Sequence, residues 1–78
     1  MFGAKYLSTD MVVALETIMR EQNLSRHRLS LLLCVSYQTV VTALERRRRV
    51  STSVLEEMIE FLAKYGVVVD NPTIDDPL

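Results

Sequence analysis

The sequence predicts an all-α fold: a compact bundle of about five short helices with one tight corner between two of them, followed by a short, extended acidic C-terminal tail. Three observations predict it. Apolar residues recur three and four apart along most of the chain. Serine stands at the head of three of these runs, where a helix needs a cap for its free amides. A length of 78 residues gives one small core and no second one. With 49% apolar and 24% charged residues, the composition is that of a folded chain, not a disordered one. The expected organisation is one domain over residues 1–69 and an acidic tail over 70–78.

From Asp10 to Gln22, Val12, Leu15, Ile18 and Met19 mark one face, and Glu16, Thr17, Arg20 and Glu21 take the other. Ser25 is then placed to cap a second helix running to Leu33, with Leu29, Leu32 and Leu33 turned inward. Only Cys34 and Val35 precede the next cap, Ser36, which opens a helix over 36–45 carrying Val40, Ala43 and Leu44 inward. Cys34 reads as a small buried filler, and His27 as an exposed residue with no role. "SVLE" (Ser53 to Glu56) has capping-box spacing, and Leu55, Met58, Ile59 and Leu62 form the inner stripe of a last helix that stops near Gly66. That helix carries a second stripe, Val54, Met58, Phe61 and Tyr65. One small domain cannot bury both, so this stripe is the expected dimer interface. Val67 to Val69 read as a short strand or a core-covering extension.

The formal net charge is −1, but it is unevenly spread. Residues 20–49 hold seven arginines against Glu21 and Glu45, whereas residues 50–78 hold six carboxylates against Lys64. Four of the arginines are consecutive, Arg46 to Arg49. A basic middle on an acidic body suits a polyanionic partner and resists indiscriminate adhesion. Other classes are excluded more simply. One cysteine and one histidine cannot build a structural zinc site, and a lone thiol fits a reducing compartment, so the expected location is the cytoplasm. No apolar run reaches 18 residues, and the N-terminus lacks a signal-peptide core, so no membrane association is expected. A glycine-rich phosphate loop, a nucleophile with a base and a paired carboxylate site are all missing. We therefore expect no enzymatic activity, no cofactor, no metal and no small-molecule substrate.

Two short helices on a three-residue corner need a small residue at their closest approach, which Ser30 supplies, and apolar residues on both inner flanks, which Leu29, Leu33, Val35, Val40 and Ala43 supply. The stretch "LSRHRLSLLLCVSYQTVVTALE" (Leu24 to Glu45) thereby resembles the helix-turn-helix of the phage repressor and Cro-type (XRE-like) DNA-binding family, with a similar helix order over roughly residues 11–67. The resemblance implies operator binding as a dimer, by a transcriptional regulator of phage or mobile-element type in a bacterial cytoplasm. Three positions depart from the family pattern: Cys34 replaces the corner glycine, the glutamate closing the third helix comes one position later at Glu45, and "STS" replaces the proline-serine before the next helix.

With helix 36–45 in a major groove, its side chains not needed for packing are Tyr37, Gln38, Val41 and Thr42. Gln38 is the expected base reader, because its amide pairs bidentately with adenine. Tyr37 and Thr42 would, by the resemblance, touch bases or adjacent phosphates. Val41 or the Thr42 methyl would meet a thymine methyl. Ser36 and Arg26, at helix amino ends, would grip phosphate, as would Arg46, Arg47, Arg48 and Arg49. Two alternatives remain beside this reading: a protein-binding helix-turn-helix module, such as an antirepressor that captures a protein regulator, and RNA binding by the arginine run. The second lacks the aromatic platforms that single strands favour.

Overall fold

A computed structural model describes residues 5–75. In chain order its elements are β1 (Tyr6–Leu7), α1 (Thr9–Glu21), α2 (Arg26–Leu33), α3 (Tyr37–Leu44), α4 (Thr52–Ala63) and β2 (Thr73–Ile74). The expected bundle of about five helices is thus corrected to four among the described residues, joined by a small sheet. None of these helices is long and apolar enough to cross a membrane.

One local logic builds all four helices. Each is opened by a serine, Ser8, Ser25, Ser36 or Ser51, whose hydroxyl accepts the amide three residues on at 3.1 to 3.3 Å. Each closes with a left-handed residue, namely Asn23, Cys34, Arg46 and Gly66. At every one of these ends the left-handed residue and its successor return their amides to carbonyls of the last turn, as in Arg46 N to Ala43 O (3.1 Å) and Arg47 N to Thr42 O (2.9 Å). This paired closure satisfies carbonyls that the helix leaves without partners. Only Gly66 adopts it without a Cβ penalty. Leu24, Val35 and Val67, the residues following three of the left-handed positions, fold back against the core.

The core runs from Leu7 through Met11, Leu15 and Ile18 of α1, Leu29 and Leu33 of α2, Val40, Ala43 and Leu44 of α3, and Val50, to Met58, Phe61 and Leu62 of α4. Ser30 is buried where α2 and α3 meet, and its hydroxyl donates to the His27 carbonyl at 2.6 Å. Residues 5–7 lie between two partners. On one side Lys5 and Val50 exchange amide hydrogen bonds of 3.2 and 2.7 Å; on the other, Tyr6 and Leu7 pair antiparallel with Ile74 and Thr73.

Several expectations need correction here. The cap of α4 is Ser51, two residues before the "SVLE" box, because Val50 is pinned to Lys5 and the chain leaves that bridge directly into the helix. The two stripes of α4 also differ from the prediction. Met58 and Phe61, expected at a dimer interface, are buried within one chain, whereas Ile59, expected inside, is exposed. The inner face is therefore centred on 58, 61 and 62, which leaves Val54 half-buried and Tyr65 exposed. Leu32 is 55% exposed, because Leu29, Ser30 and Leu33 already fill the buried side of α2. Cys34 is exposed at the corner, not buried. Val67 and Val69 pack against the core without forming a strand, and Val68 between them is 84% exposed; the strand lies further on, at Thr73–Ile74, in the segment expected to be tail, whose residues 76–78 lie outside the described residues.

Candidate nucleic-acid interface

The corner Cys34 to Ser36 fixes how α3 is presented. Cys34 takes φ 59°, the left-handed conformation for which glycine is the easiest residue. Ser36 then stops rotation at the start of α3, accepting the Thr39 amide at 3.1 Å and sharing a 2.7 Å hydrogen bond with the Thr39 hydroxyl. Leu44, Ala43 and Val40 face the core, so the opposite arc of the first turns carries Tyr37 and Gln38 in solvent, with Val41 half-buried beside them. Tyr37 is 49% exposed, and its ring lies 6.1 Å from that of His27, which brings the first turn of α2 to the edge of the same surface.

Thr42 is the residue that does not join them. At 100° per residue it follows Gln38 on the same arc, yet it is only 9% exposed. Its hydroxyl turns inward to the carbonyls of Gln38 (2.9 Å) and Thr39 (3.3 Å), and the chain doubles back over it where Arg47 N meets its carbonyl. The expectation that Thr42 contacts a ligand is corrected accordingly.

The arginine run forms no helix. It spans the short link from the left-handed Arg46 to the Val50 bridge and is held at both ends. Its four side chains separate. Arg46 donates from Nη1 to the Thr9 hydroxyl at 2.9 Å, at the amino end of α1. Arg47 Nε lies 3.0 Å from Glu45 Oε1. Arg49 sits over the Tyr6 ring at 5.6 Å, a cation–π distance. Arg48 is exposed and pairs with no described residue.

Arg26 is also committed within the chain. Its Nη1 donates to Glu45 Oε2 at 3.0 Å, and its Nη2 lies 3.8 Å from Glu16 of α1. These contacts tie α1, α2 and the end of α3 together at the amino end of α2, where the phosphate grip is expected. Sequence reasoning missed Glu45, which takes a different guanidinium on each oxygen, as well as Thr9 and Tyr6, the partners of Arg46 and Arg49. The 19-residue separation of Arg26 and Glu45 leaves no local signal.

The result is a solvent-facing arc of one aromatic, one amide and part of one aliphatic side chain, with guanidinium groups beyond its far end. Hydrogen-bond donors and acceptors on the arc suit recognition of base or amide edges, and the guanidiniums suit an anion. Among the described residues no group of three or more His, Cys, Asp or Glu side chains stands close enough to hold a metal ion. No family model, curated protein or solved structure matches this chain.

Proposed function

We propose that the chain is a sequence-specific double-stranded DNA-binding regulator in which α2, the corner and α3 act as a helix-turn-helix, α3 lying in the operator's major groove. The observation that carries this reading is the joint exposure of Tyr37 and Gln38 on the first turn of α3 and of Arg47 to Arg49 just past its last turn. A rod presented in this way meets base edges with one end and the sugar-phosphate backbone with the other. Gln38 is the base reader, worth about 1–3 kcal/mol of discrimination for a bidentate adenine contact. Tyr37 and Val41 line the same groove. Arg48 and Arg49, which no carboxylate holds among the described residues, supply phosphate contacts. The regulator would act in a bacterial cytoplasm as a homodimer on a two-fold operator, with Tyr65 and Val54, not Met58 or Phe61, left to contact the second copy.

The test is selection of bound fragments from a random duplex pool, followed by a salt series on the recovered sequence. A two-fold motif, a steep fall in affinity with salt and loss of about tenfold or more for Gln38→Ala at its preferred site are expected. Binding indifferent to salt and to this substitution removes the reading.

A second reading, a protein-binding module that captures another regulator, is favoured by one observation. Leu32 and Tyr65 are exposed at a groove of about 100 Å³ between α2 and α4, also lined by Leu33, Phe61, Glu57, Glu60 and Lys64. Exposed apolar side chains beside charges of both signs fit an amphipathic segment of a partner protein.

A further inference from the structure

We infer that Glu45 is an internal stand-in for phosphate: its carboxylate occupies Arg47 and Arg26, and so sets how much of the arginine run is free to hold a polyanion. The inference rests on the DNA-binding reading and goes beyond it, by naming a residue that weakens the contact. Carboxylate and phosphate oxygens compete for the same guanidinium donors. Glu45 Oε1 and Oε2 each hold one guanidinium at 3.0 Å, so neither oxygen is idle.

The two arginines are held unequally. Arg26 has a second carboxylate, Glu16, at 3.8 Å and a side chain 35% exposed; Arg47 has Glu45 alone and is 69% exposed. The Arg47 pair rests on Glu45 alone, so Arg47 is the group that neutralising Glu45 sets free for phosphate. The run therefore offers graded cations. Arg48 is free of described partners, Arg49 rests on an aromatic ring, Arg47 is reserved by Glu45, and Arg46 is turned towards α1. A reserved cation lowers attachment to DNA of any sequence, because such attachment is nearly all phosphate contact, while Gln38 is left untouched.

The experiment measures binding to a short random-sequence duplex over a salt series for the wild type, Glu45→Gln, Arg47→Ala and the double variant. Glu56→Gln, an exposed α4 carboxylate with no ion pair among the described residues, controls for net charge. Glu45→Gln is expected to raise affinity about three- to tenfold at low salt and to steepen the salt slope by roughly 0.9, one phosphate contact. Arg47→Ala alone should leave both nearly unchanged, and in the Glu45→Gln background it should cancel the gain. An Arg47→Ala chain that already loses a full contact against the wild type overturns the inference, and this exposed loop variant keeps that outcome readable even where Glu45→Gln unfolds. A gain from Glu56→Gln equal to that from Glu45→Gln overturns it too, leaving the DNA reading standing. A wild-type chain and variants that bind no duplex at any salt overturn both.

Discussion

Cys34 carries the backbone conformation on which the presentation of α3 depends, with φ 59° at a residue that has a Cβ. Such a residue costs about 1–2 kcal/mol relative to the right-handed basin, whereas glycine is strained in neither. Cys34→Gly should therefore stabilise the chain by about 0.5–1 kcal/mol after the added unfolded-state entropy is subtracted, and Cys34→Val should destabilise it. Urea unfolding midpoints check both, and a fall with glycine would show that the thiol contributes something the backbone argument omits. That the corner residue carries a Cβ is visible in the sequence. Its exposure is not, because a small thiol on a corner looks the same whether the corner faces in or out. Thr42 teaches the complementary lesson. Helical spacing sets it beside Gln38, and only the left-handed turn at Arg46, which no glycine announces, folds the chain over it.

At the scale of elements, helix starts were more legible than helix faces. Ser25 and Ser36 cap where their spacing predicts, since a serine directly before an apolar run has few competing positions. In "VSTS" two serines compete, and the choice is made by a long-range contact, the bridge from Val50 to Lys5. Ser51→Ala should accordingly lower stability by about 1 kcal/mol, while Ser53→Ala stays within about 0.5 kcal/mol. Chemical denaturation of the two variants decides it, and a larger loss at Ser53 would restore the capping-box start. The face of α4 was harder to read because apolar residues almost encircle it. Leu55, Met58, Ile59 and Leu62 fit one stripe, and Val54, Met58, Phe61 and Tyr65 fit another. Packing against α1 and α2 selects 58, 61 and 62 from both. Periodicity names the possible stripes; only the partner elements choose between them.

For the whole molecule, the sequence indicates a mostly helical body and the placement of Tyr37, Gln38 and the arginines outside it, but not the small sheet. Two-residue strands have no periodicity to detect, and Thr73–Ile74 lies among turn-forming residues. A body this small depends heavily on each buried side chain. Met58 is wholly buried between the helices, so Met58→Ala should cost about 2–5 kcal/mol out of a total of about 5–15, enough to populate unfolded chains on mild heating. A thermal melt checks this, and an unchanged midpoint with an altered self-association constant would return Met58 to a subunit contact. The antiparallel pairing of Tyr6 with Ile74 and Leu7 with Thr73, with Lys5 and Asp75 3.4 Å apart at its open edge, carries a mechanical consequence. A tether drawn between residues 5 and 75 would load those rungs one after another, like a zipper, so the ribbon should peel at low force before any helix bears tension.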